Sequence, residues 1–480
     1  MPINIAAVVA AVVAADSAAI GGSSEWLVVG GGPLGTIAVA TLLRSGAKGI
    51  CWVDPQFEQM GRIGERYESV PSNTRNDLLV RAFRSLPALN FDIAQQQRRH
   101  QSPTHRSAVL SDAAPHGYLP LASSIDALRD GSAALRRDSR VTSHCGTVTS
   151  LTGEESAPIR WHARLRLNSA HTDIDIGARQ VILATGAAPR EPPARVVRLL
   201  EENGVSMLSH DDAICPSRLR ALLSADTDFA ASLAGARVAV VGGSHSGVLA
   251  AKNAIELADA GAVDIYRRGA VRLADERDGW MKFDGTGLKG EVRDWMVRQQ
   301  RAQRQLEGAD EDFGTGRLPS QPDGEAAAQE SALRMDRVRV HTDAPDTGDV
   351  SVDEAVLVER ILASGATWLV WTTGFERRRA PESGAAATET PLPSVHWNGR
   401  FIDLASTDYD ARTTNAIVEA RGLYGVGLGY PAIALDPEGL EERWFGFGGD
   451  AIKLVERIAG DRVTDDAQER EWPSTIHSRK

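Results

Sequence analysis

The chain is poor in cysteine, in basic charge and in long apolar runs. Its 480 residues include three cysteines, Cys51, Cys145 and Cys215, none in a Cys-x-x-Cys or other close pair. That excludes a disulfide framework, a zinc site and a redox dithiol together. Lys and Arg number 53 against 64 Asp and Glu, a net charge of −11. Nucleic acid and anionic membranes call for a basic face, so neither is an expected partner. The nearest thing to a membrane segment is Ile5 to Ala15, an uncharged Ala/Val run with Asp16 after it. It is shorter than a span and lacks the basic flank of a signal peptide. Residues 1–22 therefore read as a tail, and the expectation is a cytoplasmic protein without stable membrane insertion. A chain of this length suits a globular enzyme of two or three domains.

What the chain does have is a strand that runs into closely spaced glycines, Trp26-Leu27-Val28-Val29-Gly30-Gly31-Gly32-Pro33-Leu34-Gly35. Gly30, Gly32 and Gly35 keep Gly-x-Gly-x-x-Gly spacing: one for a tight turn, one for backbone approach to a pyrophosphate, one for helix against strand. Free N–H groups and the positive dipole end of the following helix then face the phosphates. A helix from Thr36 to Arg44 and a second strand, Ile50-Cys51-Trp52-Val53, lead to Asp54. A carboxylate there can accept the ribose hydroxyls of an adenine dinucleotide. Residues 61–75 follow as an ordered loop containing Arg62 and Asn73, and residues 77–130 carry no readable motif.

From Val141 to Ile176 the pattern has period two, as in half-exposed antiparallel strands. Val148 on this stretch, with Ala184, Thr185 and Gly186 at the end of the next apolar strand, joins the cofactor-binding set. The Pro-rich Pro189–Pro193 reads as a stiff exit from the first domain.

The opening signal then recurs. A strand from Ala236 to Val241 ends in Gly242-Gly243-Ser244-His245-Ser246-Gly247, with a helix after it. Ser244 stands at the second glycine position, where it still allows close approach and adds a hydroxyl. The next strand ends in Arg267-Arg268, where an NAD-specific site would carry an acid. A guanidinium fork there suits a 2′-phosphate. One acid-ended and one arginine-ended site are read as FAD first and NADPH second. Residues 302–350 look like an acidic mobile insertion. The strand Thr367–Trp371 with Thr373 and Gly374 echoes Ala184-Thr185-Gly186. Paired echoes imply two chain crossings. The expected fold is thus α/β, with two Rossmann-like domains: an NADPH domain (196–359) inserted into a discontinuous FAD domain (23–195 and 360–480) that contains an antiparallel β segment. A last strand, Leu423–Gly427, should bring its glycines to the first sheet, ahead of a helical region from Pro437 to Ala459.

Gly30-x-Gly32-x-x-Gly35, Gly242-x-Ser244-x-x-Gly247, Thr372-Thr373-Gly374-Phe375 and Tyr67-x-Ser69-Val70-x-x-Asn73 together resemble the flavin-containing monooxygenases and the related N-hydroxylating monooxygenases. Leu440–Trp444 is similar to a helix near that family's C-terminus. The resemblance implies that NADPH reduces FAD, O2 adds to give a C4a-hydroperoxide, and the oxygen passes to a small nucleophile: an amine, a thioether or an electron-rich ring. It implies that Asn73 holds the oxygenated flavin, that Arg62 lies over the flavin and that Arg267 and Arg268 clamp the 2′-phosphate. The family's Phe-x-Gly-x-x-x-His signature is not intact; the nearest stretch is Gly204 to His210. Alternatives on the same scaffold are a flavin halogenase, with Lys282 or Lys289 relaying hypohalous acid, and a non-oxygenating NADPH:flavin oxidoreductase or nucleotide sensor. A disulfide reductase would need a cysteine pair. The sequence leaves a homo-oligomer open.

Overall fold

The computed structural model describes residues 23–75, 118–155, 160–169, 173–277, 280–307, 337–341, 350–377, 392–404, 422–444 and 449–460. The tail 1–22, residues 77–117 and residues 308–336 of the acidic insertion lie outside the described residues. The chain divides into two compact units: unit 1 comprises 1–68, 75–188 and 375–480, and unit 2 comprises 69–74 and 189–374.

In chain order the elements that matter are β1 (Ser23–Val29), α1 (Pro33–Arg44), β2 (Ile50–Asp54), α2 (Gly61–Arg66), β3 (Val141–Gly153), β4 (Trp161–Leu167) and β5 (Asp173–Leu183). Unit 2 continues with β6 (Ser206–Leu208), α3 (His210–Ile214), α4 (Pro216–Ala225), β7 (Arg237–Val241), α5 (His245–Glu256) and β8 (Ala262–Tyr266). It closes with α6 (Gly290–Glu307), β9 (Val338–His341), α7 (Val350–Ala363) and β10 (Trp368–Trp371). The return to unit 1 adds β11 (Ser394–Trp397), β12 (Arg400–Ile402), β13 (Leu423–Gly425) and α8 (Gly449–Gly460).

Unit 1 is built on an eight-stranded sheet, ordered β12-β11-β3-β2-β1-β5-β13, with β4 bridging β3 and β5. β1 pairs in parallel with β2 and β5, and β4 pairs antiparallel on both sides. A parallel strand covered on both faces must be apolar throughout, and β1 shows why. Trp26 and Val28 face one core with α1 and α8, while Leu27 and Val29 face a second core with Trp161, Val181 and Val395. α1 is buried from Gly35 to Leu43 and is fixed at its exposed end by Arg44, which donates to Glu456 on α8 at 2.5 Å.

Unit 2 has a five-stranded parallel sheet, ordered β9-β8-β7-β10-β6. Its Ala239, Val241, Leu369 and Trp371 pack with Val358 and Ile361 of α7, and α5 covers the opposite face. One acid sits inside this unit. Asp264, 1 % exposed, accepts from Arg237 Nη1 at 2.8 Å and pairs with His341 Nε2 at 2.9 Å, so the buried carboxylate is compensated on both oxygens.

Three expectations change. The boundaries at 195/196 and 359/360 fall instead at 188/189 and 374/375, because β10 hydrogen-bonds to β7 and so belongs to the second sheet. Residues 61–66 form helix α2 rather than loop. Leu440–Trp444 is not helical: Glu441–Trp444 pairs antiparallel with Ala432–Leu435. The cause is the turn at Asp436, whose Oδ1 accepts from Glu438 N at 2.9 Å and Leu440 N at 2.8 Å, with Gly439 at φ +83°.

All three cysteines are free thiols. Burial pushes the Cys51 thiol up to about 12, and Cys215 is buried as well, whereas Cys145 is exposed. The thiolate is the reactive form. Titration of native protein with an aromatic disulfide near pH 8 is therefore expected to modify one thiol quickly and all three only after denaturation; a second fast thiol would contradict the packing around Cys51 or Cys215.

Candidate dinucleotide sites

The two glycine turns are built to one plan. Val29 pairs with Val53 and Leu183, and Val241 pairs with Tyr266 and Trp371. One residue further on, Gly30, Asp54 and Ala184 in unit 1 occupy the corners that Gly242, Arg267 and Thr372 occupy in unit 2. The hydrogen bonds repeat too: Gly30 N donates to Val53 O (2.8 Å) and Gly242 N to Tyr266 O (2.9 Å), while Ala184 N and Thr372 N donate to Val29 O and Val241 O, each at 2.8 Å. Gly30 and Gly242 both take φ +114°, and a Cβ on either would strike the carbonyl of Ala184 or Thr372. A Cβ on Gly35 or Gly247 would strike the carbonyl of Gly30 or Gly242. Only glycine fits these four positions, since the helix is pressed against its own turn.

Each helix also starts without a side-chain cap. Gly32 is the N-cap of α1 with Pro33 at the first helical position, and Ser244 is the N-cap of α5 without a cap bond from its own hydroxyl. The first-turn N–H groups thus remain available to an anion placed at the helix start.

At the first cradle Asp54 is 3 % exposed. Its Oδ2 accepts from Gly31 N at 2.6 Å and its Oδ1 from Gln56 N at 2.7 Å, so two backbone N–H groups orient the carboxylate at the corner of the cradle. Trp52 Nε1 donates to Gly30 O at 2.9 Å and locks the turn from below. α2 begins against this cradle, with Met60 O 3.6 Å from where a Cβ of Gly32 would be, which puts the half-buried Arg62 beside it. The last strand comes back as expected. β13 pairs with β5, Gly427 (φ +93°) abuts Leu34, and Gly429 packs on the Gly186 carbonyl. Tyr430 is wholly buried there under the Arg377 guanidinium, 5.1 Å from ring centre, and burial raises its phenol to about 12. Val148 lies three residues beyond Cys145, the partner of Asp54, with its side chain in the core.

At the second cradle the Arg267 side chain covers Gly243, with Cδ 2.8 Å from a Cβ built there, and its Nη2 donates to Ala270 O. Burial, followed by repulsion from Arg272, lowers its pKa, although a guanidinium stays charged at neutral pH. A half-desolvated cation at this corner gains from a phosphate. Arg268, one step on, is exposed. Thr372 Oγ1 donates to Val241 O (2.9 Å) and Gly242 O (3.2 Å), and beside it Thr373 Oγ1 is buried without a partner. Both ring nitrogens of His245, in the turn itself, are likewise buried and unpartnered, and burial drops its pKa to about 4. Sequence spacing singled out neither His245 nor Trp52, since neither position is part of the glycine pattern.

Asn73 is exposed on a short strand (Pro71–Arg75) in the segment Ser69–Thr74 that belongs to unit 2. Arg62 belongs to unit 1. Of the lysines considered for halide chemistry, Lys289 is held by Asp284 at 2.6 Å and Lys282 lies 5.5 Å from the Phe283 ring centre.

No protein-family profile matches the chain. It is 28% identical over 451 residues to the monooxygenase AgnR1 of Paecilomyces divaricatus, an alignment that covers 90% of this chain and 96% of that one. Over nearly its whole length the chain is thus similar to a monooxygenase. The two cradles fit the cofactors of a flavoprotein oxidoreductase, the acid-cornered one suiting FAD and the arginine-cornered one NADPH. Solved structures similar to this chain include S-allyl-L-cysteine S-oxygenase from Allium sativum (11% identity, TM-score 0.46, 92% of this chain and 77% of that one). The ornithine hydroxylase of Pseudomonas aeruginosa is similar at 13% identity and TM-score 0.42, over 92% and 99% of the two chains. Among the described residues no helix is long and apolar enough to cross a membrane, and no cluster of side chains could hold a metal ion.

Proposed function

We propose that the protein is an NADPH-consuming, FAD-dependent monooxygenase that oxygenates a small nucleophile by the C4a-hydroperoxide route the resemblance implies. The observation that carries the reading is the shared corner of the two cradles, an oriented carboxylate in one and a half-buried guanidinium in the other. When bound, FAD reduced by NADPH supplies the O2 activation. The chain's own residues do the holding. The turns at Gly30 and Gly242 and the uncapped starts of α1 and α5 bind the pyrophosphates, Asp54 orients a ribose, and Arg267 takes the 2′-phosphate. Asn73 donates from its amide to the reacting centre, and Arg62 covers the flavin and excludes water, the requirement for keeping peroxide chemistry productive. The substrate class is an amine, a thioether or an electron-rich ring, with O2 as the second substrate.

The test is anaerobic reduction by NADPH followed by an oxygen pulse, with flavin absorbance recorded by stopped flow. Reduction by NADPH, then a transient distinct from both reduced and oxidised flavin, supports the reading. Absence of bound flavin, or failure of NADPH to reduce it, overturns it. For the corner itself, Arg267→Ala should lower the preference for NADPH over NADH by about ten- to a hundredfold, the worth of a charge-assisted phosphate contact. Arg268→Ala should lower it much less, and an equal loss in both would show that the register does not select Arg267.

A further inference from the structure

Ser69 belongs to the segment that carries Asn73, yet its hydrogen bonds go to the start of α4. Ser69 Oγ accepts from Ser217 N at 2.9 Å, donates to Ser217 Oγ at 2.9 Å and contacts Cys215 Sγ at 3.2 Å. α4 needs this. Its own N-cap residue, Cys215, makes no side-chain cap bond, so a hydroxyl 148 positions away in the chain satisfies one of the orphan N–H groups. The line of contacts goes on to the second cradle. Cys215 also ends α3, and Asn253 of α5, 1 % exposed, donates from Nδ2 to Ala213 O of α3 at 2.9 Å. α5 is the helix that begins at Ser244.

We propose that Ser69 is a positioning residue that ties the Asn73 segment to the nicotinamide unit, so that Asn73 keeps station with bound NADP rather than with FAD. This rests on the reading of Asn73 given above. The hydroxyl of Ser69, through α4, α3 and α5, holds Asn73 in the register of the Gly242 turn. The chain leaves unit 1 at Glu68 and re-enters it at Arg75, so the six residues between follow unit 2. The clamp bears on what happens after reduction, when Asn73 is needed, and has no part in the hydride step.

The experiment compares wild type, Ser69→Ala, Ser69→Thr and Asn73→Ala with NADPH and O2 and without an organic substrate. Ser69→Ala should retain FAD and its anaerobic reduction rate, while flavin reoxidation and H2O2 release speed up roughly three- to tenfold, the shift that one lost hydrogen bond produces. Ser69→Thr, which keeps the hydroxyl, should restore the wild-type rate, and Asn73→Ala should show the same defect as Ser69→Ala. The proposal is overturned if Ser69→Ala reoxidises at the wild-type rate, or if reduction slows in parallel with reoxidation, as general unfolding of the unit would cause. Asn73→Ala with wild-type reoxidation removes the role of Asn73 and the proposal with it. Wild type that binds no FAD or is not reduced by NADPH would instead sink the monooxygenase reading itself.

Discussion

Gly242→Ala is expected to purify with its FAD and to lose reduction by NADPH, with the second-order rate of reduction down a hundredfold or more. Two effects combine. Alanine at φ +114° carries backbone strain of about 1–3 kcal/mol, and its methyl group would also overlap the Thr372 carbonyl, with Thr372 Oγ1 only 2.7 Å away. The turn has nowhere to go: Thr372 bonds Val241 and Gly242, and α5 presses on Gly242 O through Gly247. Gly374 supplies an internal control. It has the same φ of +114°, but beyond its chain neighbours no atom lies within 4 Å of the place a methyl group would take, so Gly374→Ala carries the strain alone. If the two variants lose the same activity, collision is not what shapes the cradle. If Gly242→Ala loses FAD as well, the two units do not fold independently.

Asp54→Ala should have the largest effect on flavin retention, with FAD affinity lowered by a hundredfold or more. The carboxylate is buried and accepts from Gly31 N and Gln56 N. Removing it leaves both N–H groups without that acceptor, at about 1.5–3 kcal/mol for each charge-assisted bond, and frees the turn that must meet the pyrophosphate. Asp54→Asn keeps one acceptor oxygen and loses the charge, so its affinity should fall between wild type and Asp54→Ala. FAD content after purification and a flavin titration of the apoprotein measure both. Full retention of FAD by Asp54→Ala would show that the carboxylate serves only the fold of the turn.

The parts of this architecture that are legible in the chain are those governed by local spacing. Glycines at 30, 32 and 35, an acid at 54 and arginines at 267 and 268 each lie within about 30 residues of their partners in a βαβ unit, and the repeat of the Thr-Gly ends reveals the double crossing. What depends on remote partners is not legible. Trp52 looks like any apolar strand residue until its indole reaches the Gly30 carbonyl. The role of Ser69 needs Ser217, far along the chain. The strand at Glu441–Trp444 reads as helix through its likeness to a family helix, and the Asx turn at Asp436 instead folds it back on Ala432–Leu435. Spacing alone puts the second crossing ahead of β10 rather than after it, because an apolar strand of this kind suits either sheet, and only its pairing with β7 decides.

The shared corner also has a consequence for traffic between the two cradles. They are near copies in glycine placement, hydrogen bonding and helix approach, so shape alone would admit either dinucleotide to either turn. On the proposed assignment, charge would prevent the mix-up. A 2′-phosphate entering unit 1 would be set against the Asp54 carboxylate, while the plain ribose of FAD entering unit 2 would leave Arg267 with no anion to neutralise. On that assignment, one residue in each copy sorts two similar nucleotides, and exchanging those two signs is the shortest route to a protein that confuses its own cofactors.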